Sequence, residues 1–183
     1  AETYLTKTFS PVQLWIFRPP IVYGEDNYVL RERLIFKMLE LGQTIFVPKT
    51  NNRIQFVYVR DLAEHMAEAL LGQLPPSVYN VGQREAPTFS RWIEMCAETV
   101  GVQAKYLFID QVKFEITARS FFPFFDYDNI LDVSKIKTYS KVETPMKVGL
   151  ERAYLDYLRI KDEVVIPETM IKAYDTLNHK KNG

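Results

Sequence analysis

The strongest constraint in this sequence is a repeated change of period. Over about the first hundred residues, short apolar or β-branched runs alternate with segments whose apolar residues recur at helical spacing. VQLWIF (12–17) is an apolar run closed by Arg18 and a proline pair, the pattern of a buried strand. From Asn27 to Leu41, the residues Leu30, Leu34, Met38 and Leu41 share one helical side, and Gly42 stands where a C-terminal cap belongs. TIFVP (44–48) is a candidate short strand, and RIQFVYV (53–59) a further strand. DLAEHMAEALLG (61–72) opens on the capping-box-like pair Asp61 and Glu64 and stops at Gly72. The strand SVYNVG (77–82) is followed by the helix TFSRWIEMCAETVG (88–101). That helix turns Phe89, Trp92, Met95, Cys96 and Val100 inward and stops at Gly101. AKYLFID (104–110) is the next strand. Such alternation specifies an α/β fold with a mostly parallel sheet. Beyond it lie a long aromatic loop (114–129) and an amphipathic helix from Val148 to Lys161, with Leu150, Tyr154, Tyr157 and Leu158 on one side. Pro167 is placed to begin a last helix, and NHKKNG (178–183) to be a frayed end.

Composition removes several classes of function. With 47% hydrophobic and 25% charged residues the chain has an ordinary globular balance. No apolar run approaches the ~18 residues of a membrane-spanning helix, and AETYLTKTFS lacks the basic-then-apolar order of a signal peptide. A cytoplasmic location is therefore expected. Cys96, the single cysteine, excludes an internal disulfide, and with His65 and His179 it is too little for a structural zinc site. A net charge of zero argues against a strongly basic nucleic-acid binder, though not against a local patch.

Three segments in fixed order carry a resemblance: FRPPIVYGED (17–26), RIQFVYVRDLAEHMAEAL (53–70) and VYNVGQREAPTFSRWIEMCAETVG (78–101). Together with the tail LDVSKIKTYSKVETPMKVGLERAYLDY (131–157), they resemble the second half of extended short-chain dehydrogenases/reductases, the NAD-dependent epimerase/dehydratase family. CAETVG, FFPFFDYD and the charged helix after YGED are most similar to an atypical branch. That branch includes sugar-nucleotide epimerase-like proteins and chloroplast stem-loop-binding proteins. The resemblance runs from about Ala1 to Tyr157. It implies the C-terminal portion of a Rossmann-like fold: the last parallel strands plus a small substrate-binding subdomain (1–161), then an extension (162–183). In the family the FRPPIVYGED loop follows the catalytic Tyr-x-x-x-Lys helix, whose end AETYL resembles. The N-terminal nucleotide-binding half is accordingly expected to be absent. No G-x-x-G-x-x-G or G-x-G-x-x-G occurs among the seven glycines. Tyr4 and Lys7 are three apart rather than four. Tyr157 and Lys161 fit the spacing, but with 11 tyrosines in the chain about one such match arises by chance.

The family implies roles for particular residues. Arg53 stands ahead of QFVYVRDLA, where sugar-nucleotide members place an arginine on the substrate diphosphate; a guanidinium fork suits phosphate oxygens. The alternative is a solvated arginine at a strand start. A second family arginine precedes the Asp-x-Ser-Lys segment; here the only one in that region is Arg119, a few residues too early. Arg18, Pro19 and Pro20 form a stiff wall of the kind that borders the cofactor, with Tyr23 and Gly24 near the substrate. Asn80 is a further substrate candidate, and Phe122 represents the aromatic loop, which either floors a pocket or packs against the closing helix. Asp61 is read as a helix cap, His65 as a surface or packed residue, Cys96 as core, and Arg31, Arg33 and Lys37 as a solvated face. The implied activity is that of the substrate-binding part of an NAD(P)-dependent nucleotide-sugar epimerase, dehydratase or reductase, in isomerase or oxidoreductase chemistry. NAD or NADP would be held by the complete protein and not by this chain alone, which would be inactive without the missing half. The rival is a non-enzymatic RNA-binding protein of the same fold. Without its other half the chain is expected to pair with a second chain or to form a homodimer, with no membrane partner.

Overall fold

The computed structural model describes residues 2–8 and 13–182. After helix α1 (Glu2–Thr8), the chain alternates strands and helices as far as residue 109: β1 (Ile16–Arg18), β2 (Ile21–Tyr23), α2 (Glu32–Glu40), β3 (Ile45–Pro48), β4 (Phe56–Tyr58), α3 (Val59–Leu70), β5 (Val78–Asn80), α4 (Phe89–Val100) and β6 (Tyr106–Ile109). The aromatic segment carries two one-turn helices, α5 (Gln111–Phe114) and α6 (Ala118–Phe121). It leads into α7 (Ser134–Tyr139), α8 (Met146–Ile160) and α9 (Glu168–Asn182). Among the described residues the named strands pair in parallel, in three two-stranded pairs: β1 with β5, β2 with β4, and β3 with β6; an isolated antiparallel bridge joins Arg53 and Thr88. The parallel α/β class expected from the alternation is therefore present.

Glycine and threonine set the helix ends where the sequence put them. Gly42, Gly72 and Gly101 all adopt positive φ just past α2, α3 and α4. Thr88 caps α4 by accepting from the Arg91 amide at 3.2 Å. Several boundaries differ from expectation. The strand placed at 12–17 is confined to Ile16–Arg18; residues 9–12 lie outside the described residues. Helix α2 starts five residues after Asn27, because Asn27 folds back: its side chain accepts from the Val29 amide and donates to Glu32 and to the Val22 carbonyl. Asp61 is not a cap. Helix α3 begins directly after β4, and Asp61, already inside it, accepts from the Thr144 amide (2.7 Å) and hydroxyl (2.6 Å). Residues 178–182 continue α9 rather than fray. Leu158 is partly exposed, and α8 packs through Leu150, Ala153 and Tyr157 instead.

The main core lies among α2, α4, α8 and α9 and the strands β2, β3 and β4. At its centre Trp92 stacks on Phe56 (ring centroids 3.7 Å apart), with Tyr23 edge-on to both. Tyr154 and Tyr157 of α8 both donate to the Glu40 carboxylate of α2, each at 2.9 Å. A smaller cluster, with Val57, Tyr79, Val81 and Ile136, is fringed by half-buried Trp15, Phe17, Val22 and Leu62.

Helix α3 is partly inverted relative to the usual amphipathic rule. Its buried positions are Asp61, His65 and Ala69, with Leu62 half-buried, while Ala63, Met66, Ala67 and Leu70 face outward. His65 is packed, its Nδ1 3.1 Å from Glu68 Oε2, and Glu68 Oε1 in turn accepts from the Ser140 hydroxyl at 2.9 Å.

Candidate substrate cleft

The loop after Arg18 does not hang free. Gly24, at φ +129°, donates its amide to Glu32 at 3.2 Å, and a side chain on it would meet Val59 at 2.7 Å. Glu25 accepts from the Tyr58 hydroxyl (2.6 Å) and pairs with Arg60 (3.1 Å). The Asp26 amide reaches Asp156, the acid of a buried ion pair with Arg33. The loop is thus fastened to α2, β4 and α8. Arg33, expected on a solvated face, is inside because Asp156 offers a carboxylate there.

Beside this loop lies a cleft of about 230 Å³. Pro20 and Ile21 form one side, Arg31 the head of α2, and Arg119, Phe125 and Tyr127 the aromatic segment opposite. The run of aromatics builds it by turning Phe121, Phe122 and Phe124 inward while Phe125 (59% exposed) and Tyr127 (54%) stay outside. Those two rings stack at 5.7 Å, and the Arg119 guanidinium lies 5.2 Å from the Phe125 centroid. Arg119 also donates to the Pro123 carbonyl, another residue of the cleft lining. An adjoining chamber of about 220 Å³ shares Arg31, Arg119 and Pro123 and continues past Leu34 and Phe122 to Thr169 and Met170 at the start of α9.

Electrostatics single out the two arginines. Burial lowers the Arg31 pKa, the neighbouring Glu32 carboxyl opposes the shift, and the adjacent Arg119 charge adds to it; a guanidinium nonetheless stays charged. Among the described residues neither arginine forms a salt bridge to a carboxylate. Two neighbouring guanidinium groups without a bonded carboxylate, between aromatic walls, constitute a site for an anion attached to a planar or apolar body.

The sequence candidates fall unevenly around this cleft. Pro20 lines it, and Phe122, fully buried, borders the adjoining chamber. Arg53 is exposed next to the cleft residue Ile54, but its Nε donates to the Ala86 carbonyl at 3.1 Å and its amide to Asp128 at 2.8 Å. Tyr23 is fully buried, and burial raises its hydroxyl pKa well above the ordinary range. Asn80 donates to the Asp132 carbonyl at 3.0 Å. Arg18 is paired with Glu2, and Pro19 is exposed beside it. Arg31 and Arg119 are what residue-by-residue reading undervalued. The legible signal was Arg119 itself, the one cation within an aromatic run.

No protein-family model matches the chain, and no curated protein matches it. Solved structures do. The Bordetella bronchiseptica enzyme WbmH, in complex with NAD+, superimposes with a TM-score of 0.64 at 21% identity over 86% of this chain and 48% of its own. The same organism's WbmG, in complex with NAD, gives 0.66 at 18% identity over 86% and 47%. UDP-N-acetylglucosamine 4-epimerase from Bacillus cereus gives 0.63 at 16% identity over 89% and 51%. The fold is that of part of an extended short-chain dehydrogenase/reductase. The chain spans about half the length of these structures, consistent with the C-terminal half of that Rossmann-like fold. Among the described residues no helix is long and apolar enough to cross a membrane, and no cluster of three His, Cys, Asp or Glu side chains could hold a metal ion.

Proposed function

We propose that these residues are the substrate-binding part of an NAD(P)-dependent enzyme, an epimerase, dehydratase or reductase, acting on a nucleotide-linked sugar. The observation that carries this is the Arg31–Arg119 pair, neither of them in a salt bridge among the described residues, in an aromatic cleft that opens beside Pro20. The arginines sit where the cleft meets the adjoining chamber. A phosphate bound there would have room for a substituent on each side, as a diphosphate bridging a nucleoside and a sugar requires. In this reading cofactor binding and the reactive groups belong to another half of the enzyme, and this chain alone is inactive; the absence of any G-x-G-x-x-G among its seven glycines supports it. A cytoplasmic, dimeric assembly accompanies this reading.

Calorimetric titration of the chain with UDP-glucose, and with glucose as the uncharged control, tests it. Binding of UDP-glucose is expected, weakened about 10- to 100-fold in Arg119→Ala, since a hydrogen bond to a charged group is worth ~1.5–3 kcal/mol. Arg31→Ala should act in the same direction. Equal affinity in wild type and the double variant, or no binding at all, would overturn it. The outward Phe125–Tyr127 stack also suits an unpaired base, so salt-dependent RNA binding without nucleotide-sugar binding would favour the non-enzymatic alternative.

A further inference from the structure

We infer that a separate cavity, between α9 and the turn joining α2 to β3, is a binding site for a small arylalkylammonium ion. The cavity measures about 310 Å³, at the lower end of the roughly 300–1,000 Å³ of small-molecule sites. It lies on the opposite side of Met170 from the chamber beside the arginines, and Met170 borders both.

Its lining sorts by depth. The floor is Met38, Phe46, Met170 and the Tyr174 ring, with Phe46 and Tyr174 in contact at 4.5 Å between centroids and 36° between planes. The Tyr174 hydroxyl oxygen accepts from the Phe46 amide at 3.0 Å, and the rest of the floor presents carbon and sulfur. Thioethers and tilted rings favour an aromatic guest over an aliphatic one. The rim is polar: Gln43, Thr44, Asn178 and Asp175. Among the described residues Asp175 is the only charged side chain in the lining. Among the described residues it has no hydrogen-bond or ion-pair partner, and Lys172, one turn before it, is held by Glu168 at 2.6 Å. A guest seated on the floor partly covers that carboxylate, which costs free energy unless the guest brings a positive charge. An aromatic body with a protonated amine on a short arm meets both requirements; a carboxylate or phosphate does not. Among the described residues no cation lines the cavity, which separates its chemistry from the anion cleft.

The test is calorimetric titration of the chain with phenethylamine, 2-phenylethanol and phenylacetate. The amine is expected to bind about tenfold or more tightly than the other two. Asp175→Asn, a substitution at an exposed position, should reduce the amine to the level of the alcohol while leaving the urea midpoint unchanged. Ile171→Trp, which fills the half-exposed mouth, should abolish binding of all three. Equal binding of the three ligands to the wild type, an amine preference that survives in Asp175→Asn, or no amine binding at millimolar concentration would overturn the assignment. None of these readouts depends on the nucleotide-sugar cleft.

Discussion

At the scale of single residues, Glu32 shows how a fixed loop is obtained and what it costs. Its carboxyl is fully buried; Oε1 accepts from the Gly24 amide and from Asn27, and Oε2 has no partner. Burial raises its pKa, only partly offset by those hydrogen bonds. A raised folded-state pKa means that the group's stabilising contribution is complete below the ordinary carboxylate range and is lost as pH rises through the folded value. Wild type should therefore lose stability relative to Glu32→Gln as pH rises above the ordinary carboxylate range. Urea midpoints across a pH series check this, and parallel profiles for the two proteins would contradict it. The same scale shows what could not be seen in sequence. Tyr23 sits in a motif that suggests ligand contact, yet its ring is enclosed by Phe56, Tyr58 and Trp92. Nothing local to Tyr23 announces those neighbours. Arg31 and Arg119 are likewise brought together only by the tertiary fold.

Among the elements, α8 depends on one close approach. Gly149 lies against Tyr23, and a Cβ there would stand 2.3 Å from the Tyr23 hydroxyl oxygen and 2.9 Å from its ring carbon. Tyr23 cannot move aside without displacing the central aromatic stack. Gly149→Ala is expected to destabilise by about 1–3 kcal/mol, despite the roughly 1 kcal/mol helix-propensity gain of alanine. In a Tyr23→Phe background the cost should shrink, because the nearest atom is gone; an unchanged cost in a double-mutant cycle would refute this account. Helix existence and helix ends were largely legible, because Gly42, Gly72, Gly101 and Thr88 act through their own backbone or side chain. The facing of α3 was not. An apolar period shows which residues share a side, not which side is inward, and here Asp61, His65 and Glu68 take inward contacts through Thr144 and Ser140.

For the whole molecule, that inversion has an energetic meaning. The main cluster is built of buried side chains, whereas the smaller cluster keeps a half-buried fringe at Trp15, Phe17 and Val22. Helix α3 exposes Met66 at 44% and Leu70 at 84%. Apolar side chains clustered on one helical face favour association. Sedimentation velocity should show concentration-dependent self-association of the chain. The paired substitution Met66→Glu and Leu70→Glu should suppress it, with the urea midpoint changed by no more than about 0.5 kcal/mol equivalent, as for other surface sites. A wild-type monomer at every concentration would contradict this.

The two tryptophans divide between the two clusters. Trp92 is sealed against Phe56, while Trp15 lies at the partly open margin, its indole N–H bonded to the Leu74 carbonyl at 2.9 Å. Intrinsic fluorescence therefore contains two separable reporters, one for each hydrophobic cluster. Red-edge emission quenched by iodide belongs to the Trp15 margin, and blue, quencher-resistant emission to the Trp92 interior. Loss of the first without the second would reveal one half of the molecule loosening while the other stays intact.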